Sequence, residues 1–386
     1  MASALETLCG QAYGAKQYHM LGIHMQRGML VVVAICIPIS IVWAFAGRIF
    51  SLCGQDIELS IHAGVYARWL IPSILPYGLL QCQLRFLQTQ SRLKPLLIST
   101  GFTSLLHVFL CWALVSKLGL GNKGAALCNA ISYWINALIL VLYIRYASAC
   151  EKWTGFSKEG GKNLPSFLSL AIPSACMICL EQWSYEFLVL MSGLLPNPKL
   201  ETSMMAISMS TSSLAFWIPS GFSSAVSTRI SNELGAGRPK AAKLAARIVL
   251  LIAVVEGLLL SGIAVAARNV WGYMYTNEEE VVKYLSAIMP VLALSNFMDG
   301  IQGVLSGTAR GCGWQKLGAL INLGAYYVVG LPCAVILTFV FHLGAKGLWT
   351  GIISGSGLQA LLYILITLRI NWELQATKAI TRLQVS

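Results

Sequence analysis

Ten long apolar runs dominate this chain: 29–50, 61–87, 95–116, 124–146, 165–194, 203–227, 246–268, 284–308, 317–341 and 347–369. Each suffices for a helix that crosses the hydrocarbon core of a bilayer, which takes about 20 mainly apolar residues. Only 11% of the 386 residues are charged, against about 25% in soluble domains. Too little polar sequence is left to clothe soluble cores. Inside lipid the backbone must satisfy its own hydrogen bonds, and runs of this length do so as helices. An all-α polytopic membrane protein with about ten full spans is predicted. Residues 1–13 read as the tail of a further helix, since they lack the basic start and apolar core of a secretory signal.

The formal net charge is +12. The positive residues lie between the apolar runs, as membrane orientation requires, and not in a nucleic-acid-binding patch. Of the 27 Lys and Arg, 19 fall in one set of alternate loops and 8 in the other. The richer set contains the first loop and the C-terminus, so both termini are predicted to be cytosolic. Eleven cysteines is an odd number, and most sit within apolar runs. The pair Cys176 and Cys179 lacks the strand–helix setting of a redox motif. Cysteines of this kind are small buried hydrophobes.

The chain repeats itself. Ser3-Ala4-Leu5-Glu6-Thr7 through Gly14-Ala15 aligns with Ser224-Ala225-Val226-Ser227-Thr228 through Gly235-Ala236, an offset of 221. Leu120-Gly121-Asn122-Lys123-Gly124 aligns with Leu343-Gly344-Ala345-Lys346-Gly347, an offset of 223. Matched loops lie on one side of the membrane, so the repeat is parallel with its axis along the membrane normal. Two six-helix lobes are expected: residues 1–150, a linker at 151–164, residues 165–370, and a cytosolic tail at 371–386. Residues 165–194 and most of 203–227 have no counterpart in the first half. That lobe is therefore expected to lack its first span and most of its second, as in a truncated form.

Four acids fall within apolar runs: Glu181, Glu186, Glu256 and Asp299. A charged side chain at the centre of a span costs about 2.5–3.5 kcal/mol on insertion scales, so such residues are candidates for function. Asn296 and Gln302 each lie three residues from Asp299 and share its helix face as possible polar residues of a cavity. Glu186 is five residues from Glu181 and points elsewhere, and Glu256 is a lesser candidate. Prolines and glycines interrupt several runs, notably Pro72, Pro173, Pro219, Pro290 and Gly300 with Gly303. Gly235-Ala236-Gly237-Arg238-Pro239-Lys240 lacks the spacing of a phosphate loop and reads as a tight turn between spans. No nucleophile motif, cofactor motif or metal-ligand spacing is visible, so neither an enzyme nor a bound cofactor or metal is expected.

The stretches ALETLCGQAYGAKQY (4–18), CLEQWSYEFLVLMSGLLPNP (179–198), STRISNELGAGRPKAAK (227–243) and SNFMDGIQGVLSGTARGCGWQ (295–315) closely resemble the multidrug and toxic compound extrusion (MATE) family in its plant DETOXIFICATION branch. The resemblance implies twelve helices in two six-helix lobes, with a proton-linked Glu and Asp in the second lobe. On the matching motifs these are Glu181 and Asp299. It further implies a vacuolar or plasma membrane location. The first helix of that fold has no counterpart here.

The expected function is a secondary antiporter that exports organic compounds or xenobiotics in exchange for protons. Its expected partners are an organic small molecule, protons and the lipid bilayer, without nucleic acid, and the chain is expected to be a monomer. The alternative is a truncated form that regulates such a transporter without transporting. Trp183, Tyr185, Trp217, Tyr326 and Tyr327 are candidates to line a cavity for flat molecules, or equally to serve as packing and interface anchors.

Overall fold

The computed structural model describes residues 1–52, 57–146 and 155–385, and every regular element among them is helical. In order these are α1 (Ala4–Gly14), α2 (Tyr18–Ala44), α3 (Ala46–Leu52), α4 (Ile57–Leu70), α5 (Ile74–Thr89), α6 (Leu93–Cys111) and α7 (Gly121–Tyr146). There follow α8 (Leu164–Ser192), α9 (Pro198–Gly235), α10 (Pro239–Trp271), α11 (Glu279–Cys312), α12 (Gln315–Asn322), α13 (Leu331–Val335), α14 (Ala345–Arg369) and α15 (Trp372–Val385). Wider, π-helical turns extend α6 over Trp112–Lys117 and flank α13 over Leu323–Gly330 and Ile336–Val340. Met1–Leu168 and Ser169–Val385 form two compact units.

Among the described residues, eight helical stretches are long and apolar enough to cross a membrane. Their apolar side chains face outward: Leu251, Leu258, Leu259 and Ile263 of α10 are all exposed. Such a surface is stable against lipid and not against water.

Two expected runs take another form. Run 61–87 is divided at Pro72, which sits in a 3-10 turn between α4 and α5. Proline lacks the N–H that would continue the helix. Run 203–227 lies within α9, a 38-residue helix rich in Ser and Thr. The first run is also displaced. α2 begins at Tyr18, because His24, Gln26 and Arg27 are buried within the helix although they interrupt the apolar pattern.

Of the expected linker 151–164, residues 151–154 lie outside the described residues, as do 147–150 at the end of the expected first lobe and Ser386 in the tail. The described part is tied to α2. Gln26 Nε2 donates to the Gly155 carbonyl at 2.6 Å, and Ser157 N donates to Gln26 Oε1 at 3.0 Å. The tail forms α15, which buries Trp372, Ala376 and Ala379 with residues of α9 and α10.

The backbone carries the repeat. Left-handed φ values recur at Lys16 and Gly237, at Ser91 and Gly313, at Gly119 and His342, and at Gly121 and Gly344. These pairs are offset by 221, 222, 223 and 223 residues, the spacing seen in the sequence. A left-handed residue is the usual way to end a helix tightly, so the same turns close corresponding helices in each unit.

Within the second unit, α9 and α11 approach each other closely. Gly303, Gly307 and Gly311 recur every four residues along α11, facing Phe216, Ser223 and Ser227 of α9. A Cβ on Gly307 would collide with the Ser223 carbonyl, and one on Gly311 would lie 2.8 Å from the Ser227 carbonyl. Small residues at this spacing let helix backbones meet inside a membrane. The Ser223 hydroxyl donates to the Gly303 carbonyl across the contact and accepts from Arg310 Nη2 at 2.9 Å.

Candidate functional site

The second unit places Glu181 of α8 and Asp299 of α11 on one small cavity of about 90 Å³. Its wall also includes Gln182, Tyr185, Met209, Ser212, Ser213, Phe216 and Gln302. Three helices thus contribute: α8 two turns after Pro173, α9 just before Pro219, and α11 two turns after Pro290. A proline removes one backbone hydrogen bond and can bend a helix. Each wall helix therefore carries its weak point within three turns of the cavity.

Glu181 is the better partnered of the two acids. Gln302 Nε2 donates to its Oε1 at 2.8 Å, and Asn322 Nδ2 approaches Oε2 at 3.5 Å. The same Asn322 amide donates to the Met177 carbonyl at 2.6 Å. Gln359 Nε2 donates to Asn322 Oδ1 at 2.7 Å, and the Tyr326 hydroxyl donates to Gln359 Oε1, also at 2.7 Å. A continuous polar chain therefore runs from α8 through the end of α12 to α14 and back to the wider turns after α12. Tyr326 and Gln359 are fully buried, so each depends on its partner for the hydrogen bond that water cannot supply.

Asp299 is buried and less satisfied. Ser295 Oγ, four residues earlier on α11, donates to Oδ2 at 3.3 Å, and Oδ1 has no hydrogen-bond partner. Tyr185 and Ser356 lie within interaction range of this carboxylate. A buried acid with an open oxygen beside a cavity has capacity for a proton or another donor.

Of the two amide residues expected beside Asp299, Gln302 bonds instead to Glu181, and Asn296 is half-buried outside the cavity wall. Glu186 is exposed on the other face of α8. Glu256 Oε2 lies beside Gly300, and neither of the Glu256 carboxylate oxygens has a hydrogen-bond partner. The aromatic candidates divide. Tyr185 lines the cavity, Tyr326 joins the polar chain, and Tyr327 stacks edge-on against Phe187 at 6.4 Å. Trp183 and Trp217 are exposed, as interface anchors would be.

The sequence does not mark Ser295, Asn322 or Gln359 as members of this site. Neutral polar residues are common in apolar runs, and nothing local marks the ones that converge.

The MatE family model matches residues 1–113 and 173–336. Protein DETOXIFICATION 16 and Protein DETOXIFICATION 15 of Arabidopsis thaliana are 54% and 50% identical to this chain, over 100% of it and 79% of each relative. The crystal structure of the eukaryotic MATE transporter AtDTX14 is 47% identical, with a TM-score of 0.95 over 99% of this chain and 85% of that one. An outward-facing multidrug resistance MATE family transporter, 15% identical, shares the fold with a TM-score of 0.84 over 100% of this chain and 84% of that one.

Proposed function

This chain belongs to the MatE family of membrane efflux transporters, and from that premise we propose that it is an antiporter exporting organic compounds or xenobiotics in exchange for protons. The observation that carries this reading is the shared cavity of Glu181 and Asp299, with Gln302 bonded to the first acid one turn beyond the second. In this reading Asp299 and Glu181 are the proton-coupling residues. Residues 1–150 and 165–370 act as the two lobes, joined by a cytosolic linker.

Outward, where protons are abundant, Asp299 takes a proton on its open oxygen. The charge that a bound organic cation would balance disappears, and the substrate leaves. Protonation also turns an acceptor into a donor, which rewrites the hydrogen bonds among Asp299, Ser295 and Tyr185. The helices then favour the inward arrangement by bending at Pro173, Pro219 and Pro290. The proton is lost to the cytosol, restoring the acid for the next substrate.

The 19-to-8 charge split supports cytosolic termini. We place the chain, as a monomer, in a vacuolar or plasma membrane. The reading is tested with the purified chain in lipid vesicles preloaded with a fluorescent planar organic cation. A pH gradient, acid outside, drives its efflux and a sodium gradient of equal size does not. Efflux that ignores the pH gradient contradicts the proposal.

A further inference from the structure

We propose that the second unit binds the headgroup of an anionic phospholipid at Lys243 and Arg247. A cavity of about 90 Å³ lies at one end of this unit, lined by both cations and by Leu250, Leu305, Leu368 and Trp372 among others. It shares no residue with the wall around Glu181 and Asp299.

The charges are uncompensated. Lys243 and Arg247 stand one turn apart on α10, where like charges repel. Among the described residues neither makes an ion pair or a hydrogen bond. The acid on the same connection is shared between two other cations: Glu233 holds Arg229 at 2.7 Å and Arg238 at 2.8 Å. The acid of this region is thus already engaged, and the cavity cations are left for an anion from outside the chain.

The walls identify the anion's source. Leu250, Leu305, Ile364 and Leu368 line the cavity beside the two cations, and the same helices carry exposed apolar side chains, Leu244, Ile248 and Leu251 on α10 and Leu365 and Leu368 on α14. Free phosphate has no use for such a wall, whereas acyl chains lie along it. A phosphodiester at the mouth then meets an Arg fork, which suits paired phosphate oxygens, and a Lys point charge. Basic pockets between spans on the cytosolic side are where anionic headgroups bind. By the charge count, this end of α10 and the end of α14 lie on that side.

The test uses the full chain with phosphatidylserine, phosphatidylcholine or inorganic phosphate as probe. Native mass spectrometry should show phosphatidylserine retained in preference to phosphatidylcholine, and phosphatidylserine should raise the unfolding midpoint. K243Q/R247Q should weaken that retention roughly tenfold or more, while K243R/R247K, which keeps both charges, should retain the lipid. The inference is overturned by an unchanged preference in K243Q/R247Q, by its loss in K243R/R247K, or by an equal midpoint rise with inorganic phosphate.

Discussion

Gln302 Nε2 donates to Glu181 Oε1 at 2.8 Å, so the acid of α8 is held by a residue one turn beyond Asp299 on α11. The two carboxylates are therefore coupled through the geometry of a single helix. A rotation or bend of α11 that moves Asp299 also moves the donor of Glu181. Two acids on unconnected helices would have no such linkage.

Replacing Gln302 with Leu keeps much of the volume and removes the donor. Hydrogen bonds to charged groups contribute about 1.5–3 kcal/mol. The variant should fold, export more slowly and show a shifted pH dependence of efflux. An unaltered pH profile would show that the contact has no part in coupling.

Tyr326→Phe isolates the far end of the polar chain. It removes the hydroxyl that donates to Gln359 Oε1 and leaves that buried oxygen unsatisfied, at a cost of about 1–3 kcal/mol. Thermal unfolding of the variant should show a lower midpoint. Gln359→Leu in the Tyr326→Phe background should then cost less than the sum of the two single changes, since they share one bond.

Close packing of α9 on α11 makes a sharper comparison. Gly307→Ala places a methyl group into the Ser223 backbone and should destabilise by at least the ~1–3 kcal/mol of an overpacked core. Gly262→Ala, in the middle of α10 with nothing within 4 Å, should be neutral or stabilising by up to ~1 kcal/mol. Equal midpoints for the two variants would mean that the glycine stripe is not a packing device.

In the first unit, Arg85 Nη1 lies 2.7 Å from Glu6 Oε1, with the Glu6 side chain 1% exposed and that of Arg85 23% exposed. Arg85→Met removes the cation from beside a buried carboxylate. The loss should fall below the ~3–5 kcal/mol of a fully buried pair, because water reaches Arg85. Adding Glu6→Leu should recover part of the lost midpoint, and a further fall would contradict the pairing.

Glu181 and Asp299 stand out in the sequence because ionisable groups are costly inside apolar runs. Residue spacing also places Gln302 on the face of Asp299, but spacing along one helix cannot reveal that its amide reaches α8. Asn296 illustrates the same limit. It shares the face by counting, yet the hydrogen bond to Asp299 comes from Ser295. Asn322 and Tyr326 lie at and within the wider turns after α12, whose changed winding moves side chains off the faces that a regular helix predicts. The parallel repeat is legible because Gly14-Ala15 recurs as Gly235-Ala236 and the Leu-Gly-x-Lys-Gly turn at 120–124 recurs at 343–347, whereas the reach of α2 back to Tyr18 is not, since its first turns bury His24, Gln26 and Arg27.

The most direct test of the account is the coupling of Asp299→Asn, a change that keeps the shape of the side chain and removes its titration. With the full chain in vesicles under an imposed pH gradient, proton-driven efflux should be abolished, while binding of the organic cation persists at reduced affinity. Efflux in Asp299→Asn that follows the pH gradient as in the unmodified chain would contradict the assignment of proton coupling to this cavity.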